Sequence, residues 1–247
     1  ADLGMLRRAL EMGDWAPIQS PIQQVILDGA WVKFPPRDLE QALPQQTLLL
    51  RLAQACSQQT HWDNSRTGIW VGMGTDVNVC RYGARWRVSD WAKTLGLTVD
   101  AELQDSIMAP LQSAGVLGCM PNIPANRLNS QLDCLGASGT VSAEEGSGLR
   151  AVQLAMNALR RNEIDVAIVA AVDCANNPLH VACKSIVTEK AVTGLDGAAM
   201  LVLKRVEDVE SADVLAYVES DCESSVVSIG VSECGDAHAA HDVIAMA

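Results

Sequence analysis

A strand, a helix and a second strand follow one another between residues 139 and 172, and no other feature restricts the fold so tightly. Gly139-Thr140-Val141-Ser142 has strand character, short and uncharged with β-branched residues at its centre. Residues 147–160 repeat apolar side chains at Leu149, Val152, Met156 and Leu159, the spacing that lines one face of a helix. Val166–Val172 is an unbroken apolar run of seven residues, the pattern of a strand covered on both faces. This order predicts two parallel strands joined by a right-handed crossover, hence an α/β fold. The run is far short of the roughly 20 residues a membrane helix takes, so no membrane partner is expected.

The rest of the chain extends this unit. Pro44–Ala55 reads as a helix opened by proline, whose missing N–H costs nothing in the first turn. Thr67–Gly72 is a short apolar run ended by glycine, a buried strand. Residues 73–112 are mixed, with a helix expected around 100–112. Ala198–Leu203 and Val214–Val218 read as an antiparallel hairpin closing the sheet. Residues 16–36 hold four prolines and suit an irregular layer over the core. The implied organisation is a wrapping segment and helix over 1–66, an α/β core over 67–220 and a remnant over 221–247.

Composition removes several functions. With 18 Lys+Arg against 30 Asp+Glu, the net charge of −12 argues against nucleic acid as a partner. Hydrophobic residues make up 49% and charged ones 19%, enough to build a core. The eight Cys contain no CxxC pair, against a zinc ribbon or a thioredoxin-type site. Reduced thiols and the lack of an apolar leader point to a cytoplasmic protein. His238 and His241 form one HxxH, and two ligands do not make a metal site. No metal and no cofactor are expected.

Chemistry in such a fold concentrates where a strand turns into a helix, because helical N–H groups and the macrodipole converge there. The turn reads Ser142-Ala143-Glu144-Glu145-Gly146-Ser147. Two readings stand side by side. Ser142 and Glu145 have the S-x-x-E spacing of a capping box, and Glu145 also has the chemistry of a general acid or base.

Several segments resemble the ketosynthase family. Pro121-Asn122-Ile123-Pro124-Ala125-Asn126-Arg127-Leu128-Asn129-Ser130, then Leu135-Gly136-Ala137-Ser138-Gly139-Thr140-Val141, resembles the stretch ending in the family's nucleophile elbow, ANRIS followed by GPS-x-TVDTACSSSL. Leu43–Leu50 resembles its DPQQRLLL helix, Arg66–Gly72 its RTGVFVG strand, Ile164–Val172 its CDLALAGGV strand and Asp196–Arg205 its EGAGALVLKR strand. Phe34-Pro35-Pro36 and the Ser-Ala-Glu-Glu turn are most similar to chain-length-factor-like domains of polyunsaturated fatty acid or iterative polyketide synthases. The resemblance implies a thiolase-like fold, the N-terminal half of a ketosynthase, with a mixed β-sheet flanked by helices.

Departures from the family decide what the resemblance implies about function. Setting Thr140-Val141 on the family's TV places its nucleophilic Cys at Glu145, with Ser142 and Glu144 as neighbours. A carboxylate cannot form the acyl thioester that condensation takes. The family's two catalytic His belong to a second half, which this chain does not match; Ser232–Asp242 resembles its EAHGTGT motif weakly. The implied function is a catalytically inactive ketosynthase-like domain that supports an active synthase component by dimerisation or by shaping an acyl tunnel. Its partners would be an active ketosynthase or a second copy, with acyl carrier protein and acyltransferase domains as further candidates. Alternatives are a decarboxylase or hydrolase acting on acyl-carrier-protein-bound substrates through Glu145, and a docking module for a neighbouring acyltransferase. The family also implies a dimer seam along Gly139, Thr140, Val141 and Ser142.

Overall fold

A computed structural model describes residues 22, 24–209, 214, 217 and 218. Eight helices and four strands are described: α1 (Pro36–Glu40), α2 (Pro44–Gln59), β1 (Thr67–Met73), α3 (Asn78–Thr94), α4 (Ala101–Ile107), α5 (Ser113–Cys119), α6 (Ile123–Leu132), β2 (Ser138–Val141), α7 (Ser147–Arg160), β3 (Val166–Cys174), α8 (Pro178–Thr188) and β4 (Asp196–Lys204). The strands form one sheet in the order β2-β1-β3-β4. β2 and β3 both run parallel to β1, and β4 runs antiparallel to β3.

The sheet separates two apolar layers. In β3, alternate residues Ala167, Val169 and Ala171 face a cluster built on Ala151, Val152, Ala155 and Leu159 of α7. Ile168, Ala170 and Val172 face the other way, toward Leu49, Leu50 and Ala53 of α2 and Ala125 and Leu128 of α6. The first seven residues of β3, Val166–Val172, are all buried, so an uninterrupted apolar run is what this position demands. Ile69 pairs with Ile168, and Gly72 with Ala171.

Glycine lets the layers close. A Cβ on Gly72 would sit 2.5 Å from the Ser147 carbonyl oxygen and 2.6 Å from Gly148 Cα, so the end of β1 meets the start of α7 backbone to backbone. At the opposite end of the sheet, Asp165 ties three strands together. Its carboxylate accepts from Arg66 Nε at 2.6 Å and from Arg205 Nη2 at 2.6 Å. Arg205 Nη1 also donates to the Ile164 carbonyl at 2.7 Å.

The parallel pair expected from the sequence is present with β1 inserted between its members. The expected hairpin is corrected: β4 takes β3 as its antiparallel partner, because its register matches the apolar run residue for residue. Residues 214, 217 and 218 lie in no strand, and 215 and 216 fall outside the described residues, as does all of 219–247. The helix expected over 100–112 ends at Ile107, since Pro110 disfavours helical geometry at Ala109. A further helix, α3, occupies residues that carried no clear signal.

Candidate functional site

β2 is an edge strand, so its C-terminal turn opens toward solvent beside the head of α7. The turn is longer than a capping box allows. α7 begins at Ser147 behind Gly146, which makes no side-chain cap, and the proposed Ser142–Glu145 box is thereby corrected: Ser142 stands too far before the first helical residue to be its cap. Glu144 takes the left-handed conformation, φ 49°, which a non-glycine residue adopts at a cost. That twist inserts the extra residues between strand and helix.

Ser147 does the work expected of Ser142. Buried completely, its hydroxyl accepts from the Ala143 N–H at 2.9 Å and donates to the Glu144 carbonyl at 2.6 Å. The Gly146 and Ser147 amides bond back to Ala143 and Glu144 at 3.0 and 3.1 Å. The turn is therefore held by its own backbone and one serine. Sequence reading missed Ser147, although glycine on both sides is the signal of a tightly packed position.

Glu145 projects outward, its side chain 64% exposed, and Lys184 of α8 meets it with Nζ 3.4 Å from Oε1. The Lys184 side chain is only 18% exposed, so its stem lies along the protein and its ammonium reaches the turn. Lys184 was also missed; its signal is that of a single Lys or Arg in an apolar helix. Thus Ser142, Glu144 and Glu145 do gather at one turn, and the cation that Glu145 meets comes from a distant segment.

Two of the described thiols are poor nucleophiles. Cys134 is buried, and desolvation pushes it up to about 11. Burial also raises Cys174, and the nearby Asp196, Asp76 and Asp173 carboxylates push it further. Neither will be a thiolate near neutral pH. Among the described residues there is no group of three His, Cys, Asp or Glu placed to hold a metal ion, and no helix is long and apolar enough to cross a membrane.

The mixed sheet, its edge strand and the turn into α7 lie largely within residues 20–188, which the family model for the beta-ketoacyl synthase N-terminal domain matches. The chain belongs to that family. Among solved structures it is similar to the PfaC keto synthase–chain length factor, at 20% identity and TM-score 0.65, over 84% of this chain and 28% of that one. It is also similar to the ishigamide ketosynthase/chain length factor, at 14% identity and TM-score 0.59, over 84% of this chain and 59% of that one. A third likeness is to a type II polyketide synthase acyl-carrier protein in complex with its ketosynthase, AntDE:AntF, at 17% identity and TM-score 0.53, over 74% and 52%. At these identities the likeness is one of fold. The chain spans less than two thirds of each. No curated protein sequence matches it.

Proposed function

We propose that this chain is a catalytically silent ketosynthase-like unit that supports an active synthase component, pairing along β2 and contributing a wall to the acyl channel. The observation that carries the reading is Glu145 just before α7, ion-paired to Lys184, at the position that setting Thr140-Val141 on the family's TV gives to the nucleophilic Cys. A carboxylate there cannot carry an acyl group as a thioester. Its negative charge also opposes the carboxylate of an incoming malonyl group.

The partner reading is supported by the edge. β2 is four residues long, uncharged and free of proline, and such an edge lacks the devices that block strand pairing. α8, which reaches the turn after β2 through Lys184, buries none of its residues and leaves Ile186 and Val187 77% and 83% exposed. The solved relatives named as ketosynthase–chain length factor assemblies and the one held with its acyl-carrier protein make an active ketosynthase and a carrier protein the partners to test. A second copy of the chain is the homomeric version of the same seam, and net charge −12 weakens self-association at low salt.

Gly139→Lys separates pairing from folding, because a Cβ at Gly139 meets nothing within 4 Å. Sedimentation at micromolar concentration, alone and with an active ketosynthase, should show a complex for the unmodified chain. The variant should keep its melting midpoint and lose the complex. A monomer under both conditions refutes the seam.

A further inference from the structure

We propose that the outward face of α8 is a self-association surface, on which a second copy of this chain lays its own α8 antiparallel to the first. The helix is amphipathic in the reverse of the usual sense. Val181, Lys184 and Ser185 are half-buried, and from that side Lys184 Nζ reaches Glu145 Oε1 at 3.4 Å. Leu179, Ala182, Cys183, Ile186 and Val187 are exposed. Their spacing of i, i+3, i+4, i+7 and i+8 puts them on one stripe of the helix, and none carries a charge. In an ordinary surface helix such a stripe faces the core; here it is the side left to water, which marks it as a contact face.

The order of side-chain sizes selects a second copy as the occupant. Leu179 stands at one end of the stripe, Ile186 and Val187 at the other, and the small Ala182 and Cys183 between them. A two-fold contact must be self-complementary, and this order reads alike from both ends. With the axis between Ala182 and Cys183, Leu179 of each copy faces Ile186 of the other. The small pair then lies at the crossing, where it lets the helix axes approach closely.

Charge supports the same arrangement. A chain of net charge −12 repels its own copy in general, so an uncharged stripe is where two copies meet at least cost. Glu189, the left-handed residue that ends α8, falls beside the start of the second copy's α8. A carboxylate is favoured there by the helix macrodipole, and symmetry makes the contact twice. This surface is separate from the β2 edge and does not rest on it. Two helices of 11 residues cover far less than the roughly 1,600 Å² of a standard interface, so association is expected at about 0.1 mM and above. The β2 edge is tested at lower, micromolar concentration.

Sedimentation equilibrium of the full chain, taken up to about 0.5 mM, is the test, run on the unmodified protein and on Gly139→Lys to remove β2 pairing from the measurement. Both should show a monomer–dimer equilibrium that tightens as added salt screens the net charge. Ile186→Asp puts a charge into the stripe at a side chain 77% exposed; it should keep the melting midpoint and lose the dimer. Cys183 is the reporter. A short bismaleimide should link two chains through it, as located by peptide mapping. The link should survive Cys80→Ser, which removes another exposed thiol, and disappear in Cys183→Ser. A monomer at every concentration and salt, a dimer unaffected by Ile186→Asp, or cross-links that map away from Cys183 would each overturn the proposal.

Discussion

α7 and α3 are helices of similar length that spend their side chains in opposite ways. α7 buries seven of its 14 residues, among them Ala151, Val152, Ala155 and Leu159 against β1 and β3. α3 buries one of 17, Ala92, and carries Trp86 and Trp91 at 77% and 52% exposure. Apolar content does not distinguish them; placement does. α7 is locked between strands by backbone contact at Gly72, while α3 belongs to the excursion between β1 and β2 and holds Arg85 to Asp105 of α4 at 2.7 Å. The fold therefore rests on the β1–α7–β3 joint, and within the excursion α3 is free to serve the surface while α6 packs into the core.

The sharpest way to break that comparison is at the joint. Gly72→Ala puts a methyl group within 2.6 Å of backbone atoms of Ser147 and Gly148, and neither can swing aside as a side chain could. A loss of about 3 kcal/mol is expected, read from denaturant midpoints at unchanged slope. A neutral outcome would mean that strand and helix are not in contact.

The opposite end of the sheet gives a pH-dependent test. Hydrogen bonds from Arg66, then Arg205, hold the Asp165 carboxyl down to about 2, against roughly 3.9 in an unfolded chain. A depressed folded value means that the stabilisation is fully present above about pH 4 and is lost as pH falls toward 2. The gap in melting midpoint between the unmodified chain and Asp165→Asn should accordingly be constant above that range and narrow through it. A gap that does not change with pH would remove the ion pairs from the account.

The excursion should respond least. Trp86→Ser and Trp91→Ser are expected to move the stability of the isolated chain by no more than about 0.5 kcal/mol each. Larger losses would show that α3 is packed as α7 is. If a partner covers this surface, the same substitutions should weaken association while leaving the chain's own stability unchanged.

The same contrast explains what could be read from sequence. β1, α2, α7, β3 and β4 were legible because each lies on one buried side of the joint and therefore carries periodicity or an unbroken apolar run. α3 was not: a helix that buries only Ala92 has no stripe, and Val77 at its head offers no side-chain cap. At the turn, the residues Ser142, Glu144 and Glu145 were found, but their roles were not. The capping-box reading of the S-x-x-E spacing assumes that the helix starts at once; the left-handed Glu144 delays it to Ser147. Lys184 was invisible because its approach to Glu145 depends on tertiary structure across 39 positions, the difference 184 − 145.

The claim that this elbow is silent is tested most directly by intact mass. The full chain is incubated with malonyl- and acyl-carrier protein, alone and together with an active ketosynthase, and weighed. With Glu145 at the turn, where the resemblance places the family's thiol, and the acidity of Cys134 and Cys174 suppressed, the mass of this chain should stay unchanged while the active partner gains an acyl group. A stable acyl adduct on this chain that turns over with product formation would contradict the account.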